Sequence, residues 1–157
     1  MEKSQDLSEE YVAALGNALY DAQIVEQTLR LYLVTAHDLI GTLVRNYIPY
    51  NYDTKRFRYM TMGQLIAEFE RVTERKDTLI DALEAYNEVR IHLNQTVMTR
   101  NAVADDSGRP EATAEDITEI GEFGSEGFAL RRQLYNRLQD LLVALKEATP
   151  KRRGRQE

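Results

Sequence analysis

The stretch "LGNALYDAQIVEQTLRLYL", residues 15–33, decides the fold, because its apolar residues recur every three or four positions. The same spacing extends in both directions, and it predicts one uninterrupted helix over about residues 8–46. Such a helix is about 55 Å long at ~1.5 Å rise per residue, so it is expected to form the spine of a bundle or of a dimer. Its predicted buried residues are Tyr11, Leu15, Leu19, Ala22, Val25, Leu29, Tyr32, Leu33, Ala36, Leu39, Ile40 and Leu43.

Three further helices are predicted downstream of this spine. Thr61 and Gln64 have the spacing of a capping box, and Asp77 is placed to cap the next helix. No pair of strands with a turn between them is evident, so the chain is predicted to be an all-α, four-helix bundle. The predicted helices span about residues 8–46, 62–75, 78–99 and 115–148, in a single domain of residues 1–149 that is followed by a basic tail, residues 150–157.

The composition narrows the class of protein. The 157 residues are 43% hydrophobic and include no cysteine, so the domain can bury a core without disulfides or thiolate metal sites. No apolar run approaches the roughly 18 residues that cross a bilayer, and "MEKSQDLSEE" does not resemble a signal peptide. We therefore expect a soluble, cytoplasmic protein without a membrane partner. The net charge of −6 argues against binding duplex nucleic acid through the overall field.

The third predicted helix carries an unusual number of polar residues, in "EAYNEVRIHLNQTV", residues 84–97. On a helical wheel Arg90 lies within the apolar seam, and a charge facing a core needs a partner. Glu26, on the apolar stripe of the first helix, is one candidate for an interhelical pair with Arg90. Alternatively, Glu26 pairs with Arg30 four residues later, and Arg90 extends outward along the seam.

Candidate catalytic groups are few. His92 is able to act as an acid or base near neutral pH, but no serine or cysteine nucleophile is spaced to use it. No metal site is expected, because the Glu-x-x-His pairs of di-iron bundles are missing, and no cofactor is predicted. Gly121, Gly124 and Gly127 lack the context of a phosphate loop, so they predict either a close helix approach or a kink.

The segment "NYIPYNYDTKRFRY", residues 46–59, breaks the helical period at Pro49 and is predicted to be a loop. Its aromatic residues alternate with basic ones, a mixture typical of protein interfaces and also able to stack bases and hold phosphates. A protein partner and a purely structural cover for the end of the bundle both fit, with RNA as a third reading. The residues assigned to partner binding are Tyr50, Tyr52, Arg56, Phe57 and Arg58.

Three stretches taken in order, "LGNALYDAQIVEQTLRLYL", "TMGQLIAEFERV" and "LIDALEAYNEVRIHLNQ", resemble the HEPN superfamily of all-helical proteins over Leu15 to Val97. Many members of that family are bacterial ribonucleases of toxin–antitoxin and anti-phage systems. In the family an arginine, commonly followed by asparagine, stands four to six residues before a histidine. Here "YNEVRIH" places Asn87 and His92 at the matching positions, but Tyr86 stands where the arginine belongs.

The resemblance implies a homodimer that forms through the face bearing Asn87, Arg90 and His92, in a bacterial defence or toxin–antitoxin type system, with catalysis absent or weak. A tyrosine does not replace the fixed cation of the arginine. The first alternative is a metal-independent endoribonuclease, in which His92 is the acid or base and Arg90 stabilises the phosphate. The second is a structural helical adaptor that binds a protein through residues 46–59.

Overall fold

The computed structural model describes residues 2–74, 76–102 and 112–149, and all regular structure within them is helical. The predicted basic tail, residues 150–157, lies outside the described residues. A short 3₁₀ helix, Thr54–Tyr59, lies in the connection between the first two α-helices, residues 45–61, which we call the α1–α2 connection. The α-helices are α1 (Glu2–Val44), α2 (Met62–Val72), α3 (Thr78–Ala102) and α4 (Ala114–Ala148).

The helix boundaries differ from the predicted ones mainly at the ends. α1 begins six residues earlier than predicted, and α2 ends at Val72 because Thr73 adopts an extended conformation, with φ −122° and ψ 171°. The predicted capping box at Thr61 is present, since its hydroxyl accepts from the Gln64 amide while the Gln64 side chain accepts from the Thr61 amide. Asp77 also caps as predicted, because its carboxylate accepts from the Leu79 amide at 3.0 Å.

The two long helices run side by side in the same direction. Ala18 of α1 lies against Gly124 of α4. Further toward the C-terminal end of both helices, Arg131 of α4 donates to Asp21 of α1 at 3.2 Å. α3 runs in the opposite direction, because Asp77 at its start binds Arg137, near the end of α4. α2 contacts both α1 and α3, and the α1–α2 connection folds back along α1.

The core lies between the α1–α4 pair and the shorter helices. Val25, Leu29 and Leu33 of α1 are fully buried, which the spacing of the apolar residues predicts. Leu43 is 58% exposed, against expectation, because it lies at the last turn of α1, and no other described helix covers it. The three- and four-residue spacing of apolar residues in the fourth helix also predicts Phe128 and Leu142 on its buried side, but these residues are 47% and 42% exposed.

Gly127 of α4 accommodates a close approach, one of the two alternatives that the sequence left open, whereas a Cβ at Gly121 would have no neighbour within 4 Å. A Cβ at position 127 would lie 2.5 Å from the hydroxyl of Tyr86, so no side chain fits there without displacement. The Tyr86 ring stacks on Phe123 with the ring centroids 4.5 Å apart. The absence of a side chain at Gly127 therefore allows α3 to lie close to α4 at Tyr86.

In the described part of the chain no helix is both long and apolar enough to cross a membrane.

Candidate functional site

The polar residues predicted on α3 form part of a charge cluster between helices. Arg90 Nη1 lies 2.8 Å from Glu26 Oε2, and Arg30 binds the other oxygen of the same carboxylate. Both contacts that the sequence offered as alternatives are therefore present together. The Glu26 side chain is 20% exposed and that of Arg90 23%, so the cluster is largely shielded from solvent.

The three residues of the predicted catalytic set do not converge in one chain. Arg90 points inward to Glu26, whereas His92 is exposed on another side of α3. Asn87 is half-buried and faces Gly63 of α2, and Tyr86 is buried against α4. Because Arg90 and His92 project about 200° apart on an ideal helix, the single chain forms no shared site for a phosphate between them.

The α1–α2 connection is attached to α1 by Arg30. The Arg30 guanidinium donates from Nε to the Phe57 carbonyl at 3.0 Å and from Nη2 to the Met60 carbonyl at 3.1 Å. Its other contact is the carboxylate of Glu26, which also binds Arg90 of α3. One side chain therefore links the connection, α1 and, through Glu26, α3.

A stack of aromatic rings around His37 also attaches the α1–α2 connection to α1, about two turns beyond Arg30 toward the C-terminal end of the helix. The His37 and Tyr52 rings are nearly parallel, with their centroids 3.7 Å apart, and His37 Nδ1 lies 2.6 Å from the Tyr50 hydroxyl. The Phe57 ring closes the stack at 5.5 Å from His37. The Tyr50 ring approaches α1 closely, because a Cβ at Gly41 would lie 3.0 Å from it.

The polar and charged side chains beside the stack contact one buried carboxylate, that of Glu68. Glu68 of α2 is 7% exposed and accepts from the Tyr52 hydroxyl at 3.1 Å and from Arg71 at 2.9 Å. Arg56 lies 3.7 Å from the same carboxylate. Burial lowers the pKa of His37 from its usual range, an effect that Glu68 partly offsets. His37 is thus held neutral at neutral pH, in a stack where a positive charge is disfavoured.

A cavity of about 200 Å³ opens between α1 and the connection, beside the stack. It is lined by Arg45 and by the hydroxyl side chains of Thr42, Thr54 and Tyr50, among others. His37 also lines it, and the Nε2 atom of that ring has no hydrogen-bond partner among the described residues. The cavity is polar and open to solvent, so its walls are suited to binding rather than to excluding water from a reaction.

The residues assigned to partner binding divide between surface and core. Arg56 and Arg58 are exposed, and Tyr50 and Tyr52 are half-buried in the stack. Phe57 is 1% exposed, because its ring packs against His37, so the structure places it in the core and not on the surface.

Three residues of this region, Tyr47, Tyr59 and His37, were not assigned a role from the sequence. The exposed aromatic residues of the connection are Tyr47 and Tyr59, at 86% and 83%. His37 was also missed, although its position four residues after Leu33 places it on the buried stripe of α1. A polar residue on that stripe is the signal that would have singled out His37.

Among the described residues, no group of histidine and acidic side chains is arranged to hold a metal ion. Comparisons with protein-family models, with curated proteins and with solved structures find no match for this chain. The functional reading therefore rests on the chemistry and geometry of the α1–α2 connection.

Proposed function

We propose that this chain is a helical binding protein that holds an acidic segment of a partner protein on its α1–α2 connection. The proposal rests on one observation: the α1–α2 connection is anchored to the helices and yet exposes two tyrosines. The connection is anchored through Arg30 and the His37 stack, yet it presents Tyr47 and Tyr59 almost fully to solvent. Exposed tyrosines contribute nothing to the core, whereas tyrosine is among the residues that dominate binding energy at interfaces.

Anchoring matters for affinity because a mobile loop loses conformational entropy when it binds. Each side chain immobilised at an interface costs about 0.5–1.5 kcal/mol, and a loop that is already ordered avoids part of this cost. Arg30, Tyr50 and Tyr52 order the connection in the unbound chain. Tyr47 and Tyr59 are thus displayed from a backbone that is already positioned.

The charge of the connection favours an acidic partner. It contains four basic residues and one acidic residue, a local charge of +3, within a chain of net charge −6. Arg45 lines the cavity, and Arg56 and Arg58 are exposed beside the 3₁₀ helix. A carboxylate-bearing segment of a partner would be attracted to this region and repelled by the rest of the surface.

The HEPN-like assignment and a role in a bacterial defence or toxin–antitoxin type system belong to the same proposal, and they rest on the sequence resemblance. The ribonuclease alternative has less support, since Arg90 is engaged by Glu26 while His92 faces solvent.

The proposal is tested by affinity capture from cells of the source organism, followed by titration calorimetry with the purified partner. Removing two exposed tyrosines in the double variant Tyr47→Ala/Tyr59→Ala is expected to weaken binding by roughly 10- to 100-fold. The control, Ile91→Ala, removes an apolar side chain that is 47% exposed on α3, outside the connection, and is expected to bind normally.

Two results would overturn the proposal. The first is equal binding by wild type and the Tyr47→Ala/Tyr59→Ala variant. The second is capture that disappears after ribonuclease treatment, which would identify RNA as the ligand and return the basic residues to phosphate contacts.

A further inference from the structure

One side of the α1–α4 pair exposes a row of large apolar side chains. α2 and α3 pack on the opposite side, where they bury the core. The uncovered side carries residues that are about half exposed: Tyr20 at 60%, Leu31 at 57%, Phe128 at 47%, Tyr135 at 55% and Leu142 at 42%. Single exposed apolar residues are ordinary, but a row along two adjacent helices is typical of an interface.

The spacing of these residues is regular. Phe128, Tyr135 and Leu142 stand seven residues apart, so they form one stripe along α4. Ile24 and Leu31 repeat at the same interval on α1. The apolar pattern of α4 is therefore wider than this chain buries, which explains why Phe128 and Leu142 were assigned to a buried side from the sequence.

A groove lies between the two stripes. Its volume is about 410 Å³, and its lining includes the small residues Ala14, Ala18, Gly121 and Gly124 as well as the polar residues Asn17, Asp21 and Ser125. Phe128 stands at its edge. A groove floored by small side chains and bordered by an aromatic ring is shaped to receive a projecting apolar side chain.

We propose that a second copy of this chain covers this face, with the α1–α4 pairs of the two copies packed together. The length of the face supports this occupant. α1 has 43 residues and α4 has 35, which correspond to about 64 Å and 52 Å. The 11 residues of α2 span only about 17 Å, so the matching partner is another long helix pair.

One acidic and one basic residue of this face are complementary between two copies. Asp38 is exposed on α1, in line with Tyr20 eighteen residues earlier, and Lys146 is exposed on α4, in line with Phe128. A two-fold axis parallel to the helices sets α1 of each copy over α4 of the other. Because Ala18 lies level with Gly124, Asp38 of each copy then lies at about the level of Lys146 of the other, and this pair forms twice.

The apolar side chains of the face supply about half of the area that a stable dimer buries. An aromatic side chain covers about 150–250 Å², so five large side chains that are about half exposed supply on the order of 400–500 Å² per copy. A standard interface buries about 800 Å² per partner, so the walls of the groove and the polar residues beside the two stripes must contribute the other half. This dimer face differs from the one bearing Asn87, Arg90 and His92 that the family resemblance implied.

Analytical ultracentrifugation of the full chain over a range of concentrations tests the interface. Wild type is expected to be a dimer, and Tyr135→Glu and Leu31→Glu are each expected to weaken dimerisation by about 100-fold or more, because a carboxylate would enter an apolar interface. The matched control is Ile91→Glu, which changes a side chain 47% exposed on α3, next to His92. It is expected to dimerise as wild type does.

The outcomes separate this proposal from the partner-binding one. A monomeric wild type, or a dimer that survives Tyr135→Glu and Leu31→Glu, overturns the proposed interface whatever the α1–α2 connection binds. Dissociation by Ile91→Glu alone would locate the dimer on the α3 face instead. Circular dichroism establishes that each variant keeps its helices, so loss of the dimer is not mistaken for unfolding.

Discussion

Replacing Arg30 by alanine is expected to destabilise the protein strongly, because its guanidinium makes three buried polar contacts. Its side chain is only 16% exposed, and it makes hydrogen bonds to the carbonyls of Phe57 and Met60 and to the carboxylate of Glu26. A hydrogen bond to a charged group contributes about 1.5–3 kcal/mol. Three such contacts would sum to more than 4 kcal/mol if they were independent.

Two features of the site reduce that sum. Glu26 keeps Arg90 as a partner in the variant, so its carboxylate is not left unpaired. The two carbonyls regain water if the α1–α2 connection lifts from α1. We therefore expect a loss of about 3 kcal/mol in the free energy of unfolding, which for a chain of this size lowers the Tm by roughly 6–12 °C.

Arg71→Ala is the matched control for this change. Arg71 also binds a glutamate, Glu68, but its side chain is 71% exposed, so its removal is expected to cost about 0.5 kcal/mol. Arg30→Lys should fall between the two, because one ammonium does not span both carbonyls and the carboxylate as the planar guanidinium does.

Urea denaturation followed by circular dichroism measures the three free energies, and amide hydrogen exchange reports on the connection directly. Faster exchange over residues 46–61 in Arg30→Ala, with α4 unchanged, is the expected local effect. A loss below about 1 kcal/mol in Arg30→Ala, equal to that of Arg71→Ala, would refute the conclusion that Arg30 anchors the connection.

Two further predictions concern buried polar groups. Burial lowers the pKa of His37 in the folded chain below the value of about 6.5 that it has in the unfolded chain. The neutral ring therefore stabilises the fold above pH 6.5, and this stability is lost as the pH falls below that value. Thermal melts from pH 7.5 to 5 should show a smaller decline in Tm for His37→Phe than for wild type. Gly127→Ala is expected to destabilise the protein by about 1–3 kcal/mol through the clash with Tyr86. Tyr86→Phe removes a buried hydroxyl that has no hydrogen-bond partner among the described residues, so this change should be neutral or stabilising. In urea denaturation, the double variant Gly127→Ala/Tyr86→Phe should therefore lose less free energy of unfolding than Gly127→Ala alone.

The helices were predictable because their signals are local. The three- and four-residue spacing of apolar side chains gave α1 and its buried residues Val25, Leu29 and Leu33. The capping box at Thr61 and the cap at Asp77 were predictable for the same reason, since each involves residues two or three positions apart.

The arrangement around the α1–α2 connection was not predictable in this way. The contacts of Arg30 with the Phe57 and Met60 carbonyls span 27 and 30 residues and involve backbone atoms, which leave no pattern in the sequence. The burial of Phe57 was not predictable, because an aromatic residue among arginines has the same appearance in a sequence whether it faces solvent or a histidine ring. Phe128 and Leu142 show the converse, since apolar spacing predicts a buried side without saying which chain buries it.

We propose that this protein acts by binding and not through the histidine of α3. A metal-free RNA cleavage assay with EDTA present, comparing wild type with His92→Ala and Arg90→Ala, tests it most directly. The account predicts that wild type and His92→Ala do not differ, because His92 is exposed and apart from Arg90. Cleavage by wild type that is lost in both folded variants would contradict the account and identify the protein as a ribonuclease with an altered motif.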